Sequence, residues 1–312
     1  MIADTSIDAL VVGAGPAGLT AAMYLARFKR RVRVIHDGLS RALWVPKTRN
    51  VPGFPEGITG EALIARMDDH ARRYGADIRS GHILSCTRKD RYVRAELADG
   101  GTIDSRGLIL ATGVDTHLAK LDEGDHDAAV RDGVLRYCPI CDGFEHRDER
   151  IAVLGSDIHG AAEAMFLRQF SRHVTLIPKW QVALSTAQRR ELADNDILVV
   201  EGQVERLIAT ADEMLVHIGG EPAPSPFDIL YPAFGSTPRS HLAKALGAVA
   251  DAKDCLPFHA FSDGLLPGVY AAGDVVEGLD QISVAMGQGA MAATRLHNWL
   301  RETDGHVMAD QR

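Results

Sequence analysis

The stretch that most limits what this chain can fold into lies at residues 7–28. An apolar run, IDALVV at 7–12, is followed by GAGPAG at 13–18 and then LTAAMYLARF. A short apolar run of this kind reads as a buried parallel strand. The segment behind it reads as an amphipathic helix. Gly13, Gly15 and Gly18 stand between them at G-x-G-x-x-G spacing. The first glycine makes the tight turn. The second lets backbone approach a pyrophosphate, and the third lets helix pack on strand, so the helix dipole points at the phosphates. RVRVIHD at 31–37 reads as the next strand and closes a βαβ unit. An acid is expected about 20 residues past the motif, where it holds a ribose hydroxyl. Asp37 meets that spacing, and His36 beside it can take the same place. The motif by itself does not separate FAD from NAD.

The pattern returns later. RIAVLGS at 150–156 reads as a strand entering a turn and a helix, AAEAMFLRQF, with HVTLIP at 173–178 as the following strand. The expected fold is therefore α/β, with two dinucleotide-binding, Rossmann-like, three-layer units; 312 residues is a length that suggests two domains. Between the units lie a Pro/Gly-rich loop at 48–60, a helix ending at Gly75, and short strands over 77–110. The strand GLILATG ends at Gly113. The polar stretch 115–133 reads as a crossing linker. Alternating, strand-like sequence follows residue 200, then LPGVYAAGDVVEG at 266–278 and a last helix, ISVAMGQGAMAATRLHNWL. The polar tail from Arg301 is expected to fray.

A formal net charge of -8 argues against nucleic acid or anionic membrane surfaces as partners. No run approaches the roughly 18 apolar residues of a membrane span. The first residues lack the pattern of a secretory signal. The expected location is the cytoplasm.

Four cysteines, Cys86, Cys138, Cys141 and Cys255, are too few and too scattered for a disulfide scaffold. Cys86 and Cys255 stand outside any motif and read as structural or surface thiols. Cys138-Pro139-Ile140-Cys141 is a C-x-x-C followed by Asp142-Gly143. One turn brings two such sulfurs together, and a nearby cation or helix N-terminus makes one a thiolate able to attack a disulfide. Half of a zinc site is an alternative, but no second C-x-x-C or nearby H-x-x-x-H completes four ligands. Two reduced structural thiols are another. In VYAAGDV at 269–275, Gly273 allows close backbone approach and Asp274 can accept from a ribityl hydroxyl. An ordinary strand–turn–helix with a capping Asp explains the same residues.

Taken together, GAGPAG, NVPGFPEGITG, ILATG, CPICDG and VYAAGDV resemble, in order and spacing, the low-molecular-weight thioredoxin reductases. The resemblance implies an FAD domain split over 1–117 and 241–312. The second domain, 118–240, is inserted into it and carries the cysteine pair. The resemblance also implies FAD contacts at Gly13, Gly15, Gly18, Asn50, Asp274 and Gln281, and a homodimer. It places Cys141 toward the flavin, Cys138 toward the outside disulfide, and gives Asp142 the acid/base role. Dithiol oxidases of this kind often carry His there, so Asp142 leans toward a reductase.

The chain departs from the family at its second turn, Gly155-Ser156-Asp157-Ile158-His159-Gly160. Asp157 stands where a glycine makes room for NADPH phosphates. A carboxylate about 4 Å from a phosphate charge costs roughly 1 kcal/mol in water-like surroundings and about 4 at a partly shielded surface. The family's HRRxxxR run is replaced by IPKWQVAL at 177–184, where only Lys179 is basic; Arg189 and Arg190 fall too late and read as solvent-facing. NADPH is accordingly a doubtful cofactor. Three functions stay open. The first is a thioredoxin-reductase-like enzyme, acting on a thioredoxin-like protein or a small disulfide, with a donor such as ferredoxin. The second is a dithiol oxidase that uses O₂. The third is a flavin sensor with little turnover, which leaves two cysteines and an acid without a use.

Overall fold

In the computed structural model, residues 7–180 and 182–308 are described. The expectation about a secretory signal rests in part on residues 1–6, which lie outside that range. β1 (Ile7–Val12), α1 (Pro16–Arg27) and β2 (Val32–His36) form the opening βαβ unit. A 3-10 turn at Arg41–Trp44 precedes α2 (Gly60–Arg73). β3 (Asp77–Ser80), β4 (Ile83–Arg88), β5 (Val93–Leu97) and β6 (Thr102–Leu110) follow. They form a sheet in the order β3-β2-β1-β6-β5-β4. β1, β2, β3 and β6 run parallel, while β4 and β5 are antiparallel additions.

The chain then leaves this sheet through β7 (Val114–Thr116), α3 (His126–Asp132) and α4 (Pro139–Asp142). The second βαβ unit is β8 (Ile151–Leu154), α5 (Ile158–Leu167) and β9 (Val174–Ile177). α6 (Thr186–Asp194) and β10 (Leu198–Val199) extend it. β11 (Val204–Ala209), β12 (Met214–Ile218) and β13 (Ser225–Phe227) make a three-stranded antiparallel sheet. β14 (Ile229–Pro232) completes a parallel sheet of order β10-β9-β8-β14. β15 (Ser236–Pro238) then pairs antiparallel with β7, so the outgoing and returning strands lie side by side. After α7 (His241–Ala245), β16 (Val269–Ala271) rejoins the first sheet beside the C-terminal half of β6, and α8 (Ile282–Thr303) ends the fold. The second nucleotide-fold unit is thus inserted between β6 and β16 of the first.

Each unit has its own buried apolar cluster. Leu10, Val11, Leu25, Leu108, Ile109 and Leu296 belong to the first, and Ile151, Val153, Leu167, Leu176 and Tyr231 to the second. β8 is apolar and buried throughout because α5 covers one face of its sheet and the β11–β13 sheet covers the other, while β1 is buried from Asp8 to Val12. Among the described residues no helix is long and apolar enough to cross a membrane.

Two local expectations change. The stretch 115–133 is not only a linker, because it contains α3. Asp125 caps that helix by accepting from the Ala128 amide at 2.6 Å, and Gly133 ends it in the left-handed region. With Ala129 as its one buried residue, α3 has no apolar stripe for periodicity to register. The described part of the tail continues past Arg301, with α8 running to Thr303 and Arg301 donating to the His306 carbonyl at 3.1 Å, while residues 309–312 lie outside the described range.

α1 and α8 pack closely through small residues, and a Cβ added at Gly289 would lie 2.2 Å from the Ala17 carbonyl oxygen. Gly289→Ala is therefore expected to lower stability by about 1–3 kcal/mol through overpacking, a loss readable as a lower thermal midpoint. An unchanged midpoint would contradict this packing.

Candidate active site

A cleft of about 540 Å³ opens at the C-terminal edge of β1, β6 and β16. Of the residues singled out from sequence, it is lined by Gly13, Gly15, Asp37, Asn50, Gly113, Cys138, Cys141, Asp142, Gly273, Asp274 and Gln281. Gly18 is the exception and sits beneath the turn. A Cβ there would come 1.9 Å from the Gly13 carbonyl oxygen. Gly13 itself has φ of +107°, and its Cβ would strike the Ala111 carbonyl at 2.2 Å. α1 starts with Gly15 as N-cap and Pro16 in its first turn, and no side chain caps it. Its leading amides are left for an outside anion, as a dinucleotide pyrophosphate requires. These residues fit FAD.

Asp37 accepts from the Leu39 amide at 3.0 Å and lies 3.6 Å from Arg239, which also holds Asp115. At the other end of the cleft, Arg41 lies 3.6 Å from Asp274 and 3.3 Å from Asp280. Burial, then the Asp280 charge, pushes the Asp274 carboxyl up to about 6, and Arg41 opposes the shift. Burial likewise raises Asp280. Arg41, Asp280 and Arg239 had no signal in sequence, because their partners lie far away along the chain.

Cys138 and Cys141 are joined as a disulfide. Cys138 is the N-cap of α4, and the Cys141 amide donates to the Cys138 carbonyl at 2.9 Å, closing the turn that brings the sulfurs together. Gln281 Nε2 is the nearer amide atom to both sulfurs, 3.4 Å from Cys138 Sγ and 3.6 Å from Cys141 Sγ, with Oε1 3.9 Å from Cys141 Sγ. Its Oε1 accepts from Asn50 Nδ2 at 2.9 Å, and Asn50 Oδ1 accepts from the Thr48 hydroxyl at 2.8 Å. A polar chain thus joins the disulfide of the inserted unit to the 48–50 loop of the first unit.

Asp142 has partners of its own in the inserted unit. The hydroxyl of fully buried Tyr231 donates to its Oδ1 at 2.7 Å. Arg136 Nε lies 3.0 Å from its Oδ2, an ion pair without hydrogen-bond alignment. Burial raises the Asp142 carboxyl above its usual range. The Tyr231 hydrogen bond, then the charges of Arg136 and His146, pull it back. Burial and the Asp142 charge in turn push the Tyr231 phenol far up, so it stays a donor. Neither Tyr231 nor Arg136 was legible in sequence.

The second turn is built differently. Asp157 caps α5, its Oδ1 accepting from the amides of His159 at 3.0 Å and Gly160 at 3.3 Å. The loop after β9 folds onto this turn: Ser156 Oγ accepts from the Trp180 amide at 2.9 Å, and Ala183 donates to the Ser156 carbonyl at 2.7 Å. Lys179 Nζ sits over the rings of Phe234 and Trp180, 4.3 and 4.9 Å from their centroids. Arg190 is solvent-facing and Arg189 pairs with Glu201 on the surface. Cys86 is buried, its thiol pushed up to about 12 by desolvation, and burial also raises Cys255. A reactive cysteine needs the opposite shift.

The Tyr231 contact gives a directional expectation. Its donation favours the charged carboxylate, so Tyr231→Phe should raise the Asp142 pKa further. A carboxyl ¹³C titration of wild type and variant reads this directly; a midpoint moving down, or not moving, would contradict the contact.

A protein-family model described as pyridine nucleotide-disulphide oxidoreductase matches residues 7–289. The thioredoxin reductase of Mycolicibacterium smegmatis is 31% identical over 312 residues, spanning 95% of this chain and 97% of the relative. The bifunctional thioredoxin reductase/thioredoxin of Mycobacterium leprae is 30% identical, spanning 97% of this chain and 68% of the relative. The crystal structure of HlmI is similar at a TM-score of 0.89 and 27% identity, over 98% of this chain and 96% of that one. The chain therefore belongs to the pyridine nucleotide-disulphide oxidoreductase family, as a thioredoxin-reductase-like, FAD-dependent disulfide oxidoreductase.

Proposed function

We propose that this enzyme moves electrons between FAD and the Cys138–Cys141 pair without drawing on NADPH. The observation that carries the reading is the self-capped second turn. The amides that would receive a nicotinamide dinucleotide's phosphates already receive the Asp157 carboxylate. The contrast lies within one chain, since α1 begins uncapped and α5 does not. The missing arginines and the loop hydrogen-bonded across the turn support the same reading.

When bound, FAD supplies a two-electron carrier in the first cleft. Gly13, Gly15 and the α1 amides hold its pyrophosphate, with Gly18 keeping the helix close. Asp37 takes a ribose hydroxyl. Asn50, Gly113, Gly273, Asp274 and Gln281 line the flavin portion. Cys141 would face the bound flavin and Cys138 would exchange with the outside sulfur, while Asp142, raised by burial, would hold the proton that moves on or off the pair. The domain division near 117/118 and 240/241 is part of this proposal, supported by the β7–β15 pair that ties the two crossings together. A homodimer in the cytoplasm belongs to it as well.

The outside partner is a thioredoxin-like protein or a small disulfide, with ferredoxin or a similar carrier as donor. A second reading, an O₂-using dithiol oxidase, is favoured by the same capped turn, because electrons then enter from the substrate dithiol and no nicotinamide site is needed.

Anaerobic titration with NADPH, NADH and a dithiol in parallel tests the proposal. The dithiol should bleach the flavin band, and micromolar nicotinamides should not; rapid bleaching by micromolar NADPH would refute it. Asp157→Gly should raise NADPH affinity at least about five-fold, from the roughly 1–4 kcal/mol of repulsion removed. Peroxide release on aerobic addition of dithiol, lost in Cys141→Ser, would select the oxidase reading.

A further inference from the structure

The polar chain Thr48–Asn50–Gln281 ends on the sulfurs themselves, and its donors run one way. The Thr48 hydroxyl donates to Asn50 Oδ1, Asn50 Nδ2 to Gln281 Oε1, and Gln281 Nε2 faces Cys138 and Cys141. An amide turned over would aim an oxygen lone pair at the sulfurs instead. Thr48 is buried, and its own amide and carbonyl are tied to Ile58 at 2.8 and 2.9 Å, so the far end of the chain is fixed. Gln281 is also the N-cap of the 22-residue α8, whose positive end lies beside the sulfurs.

We propose that Gln281 is a catalytic residue toward the cysteine pair, donating from Nε2 to the thiolate formed when the disulfide opens. Asn50, which donates to Gln281 Oε1, is the positioning residue that keeps this amide in the donating orientation, and Thr48 anchors Asn50. The inference rests on the pair being the redox centre, but it is independent of which nucleotide or substrate the enzyme uses. In the step concerned, the S–S bond takes up one proton and two electrons, which bound FAD would supply, and becomes one thiol and one thiolate. A disulfide sulfur is a weak acceptor, whereas a thiolate is an anion and gains a charge-assisted hydrogen bond. The donor thus stabilises the reduced pair more than the oxidised pair. It lowers the thiolate pKa and makes the pair easier to reduce.

The test is the pH dependence of alkylation at Cys138 and Cys141 in the reduced protein, followed by mass spectrometry of the peptides. Gln281→Leu should cut the alkylation rate at mildly acidic pH about tenfold, one unit of thiolate pKa. Asn50→Asp replaces the donor to Gln281 Oε1 with an acceptor, so the Gln281 amide turns over and the rate should fall in the same direction. Should either variant lose flavin, the comparison is made with flavin-free wild type. Wild-type midpoints in both variants would overturn the proposal. A shift in Gln281→Leu without one in Asn50→Asp would overturn the positioning role.

Discussion

Two sulfurs carried by the inserted unit rest against the side-chain amide of Gln281, the N-cap of the last helix of the other unit. Most of what is distinctive about this molecule depends on that contact. It requires the chain to leave one parallel sheet, build a second, and return through β15 alongside β7. It also requires α8 to lie close on α1, since that packing brings Gln281 to the edge of the cleft that begins at Gly13. Asn50, donating to Gln281 Oε1, then turns Gln281 Nε2 toward the disulfide.

The two nucleotide-fold turns show how one architecture is used in two ways. At α1 glycine and proline stand where a capping side chain could be, so the amides stay available to an external anion. At α5 an aspartate stands in the equivalent place and satisfies its own helix. The carboxylate does for α5 what a phosphate would do, so a bound phosphate would have to displace it and meet its charge. Glycine against aspartate is a small sequence difference with a large electrostatic consequence, because it acts where helix dipole and unpaired donors coincide.

Much of this was legible beforehand. G-x-G-x-x-G after an apolar strand, and the apolar runs of β6 and β8, are local patterns with local causes. They gave the two units and the first cleft, with Gly18 as the one glycine that supports the turn from beneath. What stayed hidden depends on contacts between distant positions. Tyr231 reaches Asp142 across 89 residues of chain, and Asn50 reaches Gln281 across 231. No periodicity encodes such pairs. α3 was missed for a different reason: a seven-residue helix set by a cap and a terminal glycine shows no apolar stripe.

The central claim, that the flavin and this disulfide form one redox unit, is tested most directly by anaerobic reductive titration of the flavin-loaded protein. Wild type should take up about four electrons per flavin, two by the ring and two by the sulfurs, and Cys141→Ser about two. An uptake of about two electrons in both proteins would contradict it.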